Sequence, residues 1–389
     1  MARLGDICEI QSGGTPARSN SSYWDGGTIP WVKISDIRSK CLQNTEEFIT
    51  ENGLQNSSAK IFPKGTILYS IFATLGETCI LDIDATTNQA IAGLTIKNDN
   101  VYREYLYYYL VSLKSEINSL GRGVAQNNIN MSILRNLSVP LPPLEEQRKI
   151  AAVLDKVSDL IAKHRQQLDK LDELVKSRFI EMFGDPMTNP YNLPKVILGS
   201  VLTIEPQNGL YKPQFDYVSD GTGVPILRID SFYEGKVSNL SSLKRLICSE
   251  IELKRYSLYE NDIVINRVNS IEYLGKCGLI QGLVENTVFE SNMMRLHVDE
   301  HKFHPVYITK LLCSEFIYQQ ILRRAKKAVN QASINQKDVQ SFVVYMPPIE
   351  QQDQFAAFVK QTDKSKLAIQ KSLKKLEILK KAQMQEYFR

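Results

Sequence analysis

The amino-acid sequence predicts an α+β fold in which two tandem mixed α/β domains are separated by a pair of long antiparallel helices that form a coiled coil. We call the two domains head one and head two. Three observations predict this pseudo-two-fold internal repeat. A proline-rich motif occurs twice, shorter matches return in the same order, and a long apolar stripe follows each copy of the motif.

The motif reads PLPPLEEQRKIAAVLDKV at residues 140–157 and YMPPIEQQDQFAAFVKQT at residues 345–362, and the two align without a gap at an offset of 205. A proline cannot continue a strand ladder, and it holds the residue before it extended. Glu145 and Glu350 then suit the first turn of a helix, where the helix dipole favours negative charge. The motif therefore predicts a strand-to-helix transition at both places.

The shorter matches extend the repeat over the rest of the chain. Leu4-Gly5 returns as Leu198-Gly199, IPWVKISD (29–36) as VPILRIDS (224–231), and QNNIN (126–130) as QASIN (331–335). The offset drifts from 194 to 205, so small insertions lie in loops. A period near 200 residues is too long for a solenoid and indicates two copies of one unit.

Each copy divides into a head and a helix. The heads contain short β-branched runs such as TILYSIF and DIVINRV, separated by Gly, Asn and Ser, which predict strands. FGDPMTNP (183–190) ends the first helix because Gly184 and Pro186 break it. The predicted domains are residues 1–143 (head one), 144–184 (central helix), 185–348 (head two) and 349–389 (C-terminal helix).

The two stripes have apolar residues spaced by threes and fours, which is one face of a helix. Each helix has roughly 35 residues and a length of about 50 Å at 1.5 Å per residue. A single stripe cannot bury itself, so we expect the helices to pair and to hold the heads a fixed distance apart; the alternative is that each helix covers its own head. The predicted packing residues are Ile150, Val153, Val157, Leu160, Leu168, Leu171 and Val175 in the first helix and Phe355, Phe358, Ile369, Leu373, Leu376 and Leu379 in the second.

Composition sets broad limits on the class of protein. The chain is 43% hydrophobic and 23% charged, which is ordinary globular composition. Six scattered cysteines without a C-x-x-C pair are typical of reduced thiols, and no apolar run of membrane-spanning length or N-terminal leader is present, so we expect a cytoplasmic protein with no membrane partner. A net charge of +4 permits nucleic-acid binding without requiring it.

The sequence offers no recognisable catalytic constellation. There is no Walker-type loop, and LPPL and MPPI lack the amide that amino-methyltransferases use in their Asn-Pro-Pro-Tyr-like motif. His297, His301 and His304 form the nearest metal-like cluster, but Pro305 indicates a strand end and loop there, so we expect no metal. His164 falls on the helical stripe and is predicted to pack. We therefore predict a protein that is not an enzyme and has no catalytic residues.

The candidate DNA contacts are polar and basic residues in loop-like stretches, because Lys and Arg bind phosphates while Arg, Asn and Gln read base edges. RRAKKAVNQ (323–331) is the best phosphate-binding candidate, since four basic groups precede a polar loop. Gly13-Gly14-Thr15-Pro16 is also explained by a tight turn, and Asn128 by a loop cap. The candidates are Ser12, Thr15, Arg18, Lys33, Arg38, Asn88, Gln89, Arg122, Gln126 and Asn128 in head one and Tyr211, Lys212, Arg228, Arg267, Asn269, Ser270, Lys326, Lys327, Asn330 and Gln331 in head two.

Several segments, taken in order, carry a resemblance to a known family. They are QSGGTPARSNSSYWDGGTIPWVKISDI (11–37), GRGVAQNNINMSILRNLSVPLPPLEEQRKIAAVLDKVSDLI (121–161), FIEMFGDP (179–186), INRVNSIEYLGKCGLIQG (265–282) and FESNMMRL (289–296). Together with the repeat, these segments resemble the specificity subunit of a type I restriction–modification system over essentially the whole chain.

This resemblance implies that each head is a target recognition domain that reads one half of a bipartite, asymmetric site in double-stranded DNA. It implies that the helix pair docks two methyltransferase (modification) subunits and that restriction subunits join the complex. S-adenosylmethionine and ATP would then bind the partner subunits, with no cofactor in this chain. Leu4-Gly5 comes almost at once, so the C-terminal helix is expected to support head one. The alternatives are a free-standing bipartite DNA-binding protein or an inactive relic without enzyme partners.

Overall fold

The computed structural model describes residues 1–114, 117, 128–237 and 240–388, and the chain divides into two compact units. Unit one comprises residues 1–167 and 369–389, and unit two comprises residues 168–368. Each unit therefore contains one head and one segment of each long helix. No helix among the described residues has both the length and the apolar character needed to cross a membrane.

The helices differ greatly in length, since two of them have 40 residues each and the others have ten or fewer in the described parts of the chain. The helices are α1 (Leu4–Ile7), α2 (Glu51–Gln55), α3 (Arg103–Ser112), α4 (Met131–Arg135), α5 (Leu144–Phe183), α6 (Glu250–Tyr256), α7 (Pro305–Leu312), α8 (Glu315–Arg324), α9 (Gln336–Gln340) and α10 (Ile349–Phe388).

Head one is built on three small sheets. A five-stranded sheet has the order β2-β9-β6-β7-β4, a three-stranded sheet has the order β5-β3-β8, and β1 pairs with β10. The pairs β4–β7 and β3–β8 are parallel, and the remaining pairs are antiparallel. The strands are β1 (Ala2–Arg3), β2 (Cys8–Ser12), β3 (Ile29–Val32), β4 (Cys41–Leu42), β5 (Glu47–Ile49), β6 (Ile67–Ser70), β7 (Thr78–Leu81), β8 (Thr86–Thr87), β9 (Ile91–Ile96) and β10 (Ser138–Val139).

Head two repeats this topology strand for strand and adds to it. The order β12-β22-β18-β20-β16 corresponds to the five-stranded sheet, β17-β14-β21 to the three-stranded sheet, and β11-β25 to the terminal pair. The same two pairs are parallel, β16–β20 and β14–β21. The strands are β11 (Lys195–Ile197), β12 (Leu202–Asn208), β13 (Tyr217–Val218), β14 (Val224–Leu227), β15 (Phe232–Tyr233), β16 (Gly235–Val237), β17 (Arg245–Leu246), β18 (Ile263–Asn266), β19 (Val268–Asn269), β20 (Cys277–Leu279), β21 (Val288–Phe289), β22 (Met293–Val298), β23 (Lys326–Lys327), β24 (Ala332–Ser333) and β25 (Val343–Tyr345).

The matched topology confirms the predicted fold class of two tandem mixed α/β units. The central strands β6 and β18 are buried at all four positions, which explains why ILYS and IVIN lack the polar alternation of a half-exposed strand. Gly93 lies in β9 beside the ring of Phe62, and a Cβ at this position would come within 2.3 Å of that ring. Only glycine allows the ring to cover the sheet there.

The glutamine of the first motif joins head one to α5. The side chain of Gln147 is buried, and its amide donates to the carbonyl of Pro142 and to that of Asn100, both at 2.8 Å. Its carbonyl oxygen accepts a hydrogen bond of 2.8 Å from the backbone N–H of Tyr102, which precedes α3. One side chain thus fixes the proline pair, the loop before α3 and the first turn of α5.

Gln352 makes the same three contacts in unit two. Its amide donates to the carbonyl of Pro347 at 2.8 Å and to that of Lys302 at 3.0 Å, and its oxygen accepts from the backbone N–H of His304 at 2.9 Å. This side chain is fully buried as well. The repeated motif therefore encodes a repeated junction, in which a buried glutamine side chain makes all of its hydrogen bonds to the backbone.

A tyrosine completes each junction. The hydroxyl of Tyr105 in α3 donates to the carbonyl of Pro140 at 2.9 Å, and the hydroxyl of Tyr307 in α7 donates to the carbonyl of Tyr345 at 3.1 Å. The ring of Tyr105 lies 5.3 Å from that of Phe388 in α10. The C-terminal helix thus packs on head one, as the sequence predicts.

The long helices run antiparallel in each unit. In unit one, His164 of α5 hydrogen-bonds to Ser372 of α10 at 3.0 Å, while Ile150 and Leu154, earlier in α5, pack in a cluster that includes Met384, near the end of α10. Residues later in α5 therefore contact residues earlier in α10.

In unit two, Lys366 of α10 pairs with Asp172 of α5, while the ring of Phe355 lies 5.5 Å from that of Phe179 and 5.6 Å from that of Phe183. The contacts run in the same antiparallel sense, which confirms the predicted helix pair.

Three of the predicted packing residues are misplaced. Val153, Leu160 and Leu379 are 36%, 37% and 45% exposed. Leu154 and Ile161, each one position further along α5, are buried instead. Both phases satisfy a spacing of threes and fours, and the cluster that Leu154 forms with α3 of head one and with the end of α10 selects the second phase.

The other predicted packing residues lie on the inner faces of the helices. Ile150, Val157, Val175 and Phe355 are buried. The rest are half-buried: Leu168, Leu171, Phe358, Ile369, Leu373 and Leu376.

We predict that Gln147→Leu lowers the free energy of unfolding by about 3 kcal/mol, because three hydrogen bonds between a buried amide and the backbone are lost at about 1 kcal/mol each. Urea titration of the variant followed by circular dichroism measures the loss. Gln167→Leu, on the exposed face of the same helix, is the control and is expected to change the stability by less than about 0.5 kcal/mol. Equal effects of the two substitutions would contradict a structural role for Gln147.

The phase of α5 is tested by two adjacent substitutions. Leu154→Ala leaves a cavity among buried residues and should cost about 2–5 kcal/mol of unfolding free energy. Val153→Ala removes a partly exposed side chain and should cost about 1 kcal/mol or less. The same titration decides between them, and a larger loss for Val153→Ala would show that the stripe has the other phase.

Candidate nucleic-acid interface

Polar candidates of head one meet where β2 ends. Thr15 hydrogen-bonds through its hydroxyl to the side chain of Gln89, and Asn88 accepts from the backbone N–H of Ala90 at 3.0 Å, while Ser12 is the last residue of β2. These four candidates therefore belong to one surface at the end of the five-stranded sheet.

The glycine pair before Thr15 brings this surface together. Gly13 and Gly14 donate their backbone N–H groups to the carbonyls of Ile91 and Thr87 at 3.0 and 2.9 Å. A Cβ at Gly14 would come within 2.3 Å of the backbone of Ser58. The glycines therefore serve a close approach of chain segments rather than a tight turn.

The basic candidates of head one are held by acids. Lys33 lies 2.8 Å from Glu47, and Arg38 lies 2.7 Å from Glu46. Hydrogen bonds from Lys33 and Arg38 lower the pKa of Glu46, so its carboxylate stays ionised at neutral pH. A phosphate group would have to compete with these carboxylates for Lys33 and Arg38.

Arg18 is held in the same way and is also stacked on aromatic rings. Its guanidinium is 3.7 Å from the ring centroid of Trp24 and 4.6 Å from that of Trp31, and it pairs with Glu47 at 2.5 Å. Stacking of this kind fixes the plane of the guanidinium, which suits directional recognition better than free electrostatic attraction.

Asn128 is the last candidate of head one that the structure describes. Asn128 is exposed and forms an isolated backbone bridge with Phe72, another exposed residue. Arg122 and Gln126 lie outside the described residues.

In head two, three candidates lie on the side of the four-stranded sheet β13-β17-β14-β21. Lys212 is 3.0 Å from Glu252, and Arg228 is 3.6 Å from Glu290. The hydrogen bond from Lys212 to Glu252 raises the pKa of the lysine, which keeps it cationic but occupied. Tyr211, next to Lys212, is 77% exposed and has no carboxylate partner among the described residues.

The remaining seven candidates of head two meet on a second small sheet, with the order β19-β24-β23. Asn269 and Lys327 both pair with Ala332, one from each side, and Lys326 pairs with Ser333. We call residues 326–333 the basic hairpin. Sequence separation hides this cluster, because β19 lies more than 50 residues before β23.

The basic hairpin presents its cations freely. Lys326 and Lys327 are exposed, and neither forms an ion pair with any acid in the part of the chain that the structure describes. The backbone N–H of Ala328 donates to the carbonyl of Gln331 at 2.7 Å, which closes the loop. Its tip is Val329, whose side chain is 99% exposed. Asn330 and Gln331 are also exposed.

Arg267, Asn269 and Ser270 support the hairpin from β19. The carbonyl of Arg267 accepts from the backbone N–H of Ile334 at 3.0 Å, and its guanidinium donates to the carbonyl of Ser291 at 3.1 Å. Asn269 accepts from the backbone N–H of Ser270 at 2.8 Å. These contacts are structural, and they place the three residues at the base of the hairpin.

Val329 lies within the segment 323–331 but is not among the individual candidates, because these are polar and basic residues. The signal that was present is the sequence KKAVNQAS, in which two short polar runs flank a turn and leave the valine at its tip.

The histidines serve the framework. His297 lies between Asp262 at 2.9 Å and Glu300 at 3.2 Å, and His304 caps α7 by accepting from the backbone N–H of Val306 at 3.1 Å. Among the described residues, no group of three or more His, Cys, Asp or Glu side chains is arranged to hold a metal ion.

The fold and these surfaces define a class of protein with two homologous α/β heads, each packed against a pair of long helices. The sequence profile of the family described as "Type I restriction modification DNA specificity domain" matches residues 1–173 and 193–380. The chain belongs to this family and carries two copies of the domain.

Individual relatives agree with the family match. The type I restriction enzyme MjaIX specificity subunit of Methanocaldococcus jannaschii is 27% identical, over 90% of this chain and 83% of the relative. The EcoKI specificity subunit of Escherichia coli K12 is 25% identical, over 87% of this chain and 76% of the relative. The crystal structure of the S subunit from M. genitalium matches the fold with a TM-score of 0.59 at 14% identity, over 100% of this chain and 95% of that one.

We predict that Lys326→Ala and Lys327→Ala each weaken binding to a mixed-sequence DNA duplex. Loss of one phosphate contact should reduce the slope of log K against log salt concentration by about 0.9 per lysine. Fluorescence anisotropy over a salt series measures the slope. Lys195→Ala, on exposed β11, is the matched control and should leave it unchanged; an unchanged slope in both hairpin variants would remove the hairpin from the interface.

Proposed function

We propose that this chain is the specificity subunit of a type I restriction–modification complex. It binds a bipartite, asymmetric DNA sequence and directs methyltransferase and restriction subunits to that sequence, and it catalyses neither reaction itself. The observation that carries the proposal is the repeated head, present twice with the same strand order and matched twice by a DNA specificity family.

The different surfaces of the two heads support an asymmetric target. Head one offers a stacked arginine with acid-paired cations around Trp24 and Trp31. Head two offers the basic hairpin, whose lysines pair with no acid among the described residues and whose tip is apolar. Because the repeated framework is the same and the polar surfaces differ, each head reads a different half-site.

The outer faces of the long helices support docking of partner subunits. In unit two, Leu174, Ile180 and Leu367 are exposed on α5 and α10, and in unit one Ile378 and Leu379 are exposed on α10. Where such side chains adjoin one another, they mark surfaces that partners cover. Two methyltransferase subunits bind here in the proposed complex, one for each helix-pair segment, and restriction subunits join through them.

The cofactors of the complex belong to the partners in this proposal. S-adenosylmethionine supplies the methyl group in the methyltransferase subunits, and ATP is used by the restriction subunits. The chain itself works in the cytoplasm, where the DNA and the partners are. Its role is to determine which adenine the methyltransferases reach.

The proposal is tested by co-expression of this chain with the methyltransferase encoded beside it, in a host that lacks adenine methylation. Modified bases are then mapped across the genome, with the methyltransferase alone as the control. We expect a two-part asymmetric motif that appears only when this chain is present. Absence of any motif, with soluble chain and an active partner, would favour a free-standing DNA-binding protein or a relic.

An exchange of one head tests the assignment of one half-site to each head. Replacement of residues 1–139 by the head of another such subunit should change one half of the motif and leave the other half and the spacing as they were. A change in both halves would contradict independent reading by the two heads.

A further inference from the structure

Unit two contains a cavity of about 620 Å³ beside α5. Its wall includes Phe179 of α5, Phe316 of α8 and, from the sheet side, Cys277 of β20. Cys313, which follows α7, and Lys310, on the last turn of α7, also face it. The cavity is therefore a place where solvent and small molecules meet two thiols and an amine.

The two thiols are in contact. The Sγ atoms of Cys277 and Cys313 are 3.2 Å apart. Cys277 is completely buried within the six-stranded sheet, whereas Cys313 is exposed. Both cysteines line the cavity, and Cys313 is the one of the pair with exposed surface, while Cys277 lies directly against it, which is the arrangement of a reactive cysteine and its resolving partner.

The surroundings shift the pKa values of the two thiols in opposite directions. A hydrogen bond donated by the Cys277 thiol lowers the pKa of Cys313, and the ammonium of Lys310 acts in the same direction. The hydrogen bond to Cys313 and burial raise the pKa of Cys277. Cys313 is therefore the nucleophile. Cys277 stays protonated and reacts only after Cys313 has been oxidised.

The other four cysteines lack this arrangement. Burial raises the pKa of Cys8 and Cys79 to about 12, so these thiols stay protonated. Cys248 is half-buried, and burial raises its pKa as well. Cys41 is exposed and provides an internal reference for an ordinary surface thiol.

We propose that Cys313 and Cys277 form a peroxide-reactive dithiol in head two. The thiolate of Cys313 attacks one oxygen of hydrogen peroxide, the O–O bond breaks, and the second oxygen leaves as water after taking a proton. Cys313 is then a sulfenic acid. The sulfur of Cys277 attacks the Cys313 sulfur, the S–OH bond breaks, and the hydroxide leaves as water with the Cys277 proton.

The net change converts two thiols and one peroxide into a disulfide and two waters. The disulfide links β20, in the middle of the large sheet, to the residue that ends α7. Because α7 also carries Tyr307, which donates to the carbonyl of Tyr345 before the second motif, the link reaches the element that seats head two on its helices. A thiol reductant restores the original state.

The experiment uses the full chain, first reduced and then exposed to hydrogen peroxide without denaturant. Remaining thiols are alkylated, and peptides are analysed by mass spectrometry without reduction. We expect a cross-linked pair of peptides containing Cys277 and Cys313, formed about tenfold faster than oxidation of Cys41. If Cys277 and Cys313 stay alkylatable while Cys41 oxidises, the proposal is wrong.

Two variants separate the roles of the sulfurs. Cys277→Ser should leave Cys313 as a sulfenic acid that dimedone captures, and Cys313→Ser should leave Cys277 reduced. Cys41→Ser is the matched control and should not change the cross-link. Capture of sulfenic acid at Cys277 instead would reverse the assignment and overturn it. The unmodified chain gives the decisive measurement by itself, and its outcome is independent of the proposed DNA-binding function.

Discussion

The buried glutamine at the start of each long helix is the contact on which the rest of the structure depends. Gln147 and Gln352 each satisfy three backbone groups from two segments, the proline pair and the loop before the head's main helix. Each of these hydrogen bonds contributes about 1 kcal/mol, so removal of the side chain loses three contributions at once. The junction therefore holds a head and a helix as one body.

This junction allows the heads to differ without loss of the framework. Tyr105 and Tyr307 repeat the second contact of the junction, and the strand order around each is the same. The polar surfaces of the heads repeat only in part: Lys33 corresponds to Arg228, whereas the basic hairpin of head two is built on the additional strands β19, β23 and β24. Stability therefore resides in the junction and the central strands, while recognition resides in loops and short hairpins that tolerate change.

The basic candidates fall into two groups, according to whether a carboxylate lies next to the cation. Lys33, Arg38, Lys212 and Arg228 each face a carboxylate, so their charge is partly neutralised and their geometry is fixed. The lysines of the basic hairpin have no such partner among the described residues. The first group suits oriented contacts, whereas the second suits the strong, sequence-independent attraction to phosphates. Net charge alone does not distinguish these groups.

The sequence by itself determined the repeat and the strand-to-helix transitions, because proline, charge and apolar spacing act locally along the chain, and it favoured the pairing of the two long helices, which the structure confirms. It could not determine which of two adjacent residues, Val153 or Leu154, faces inward, since both fit a spacing of threes and fours and contacts with α3 decide. It could not bring Asn269 to Lys327, or Cys277 to Cys313, because these neighbours are distant in sequence. Only the tertiary structure sets those contacts, through the sheet order and the packing of helices on it.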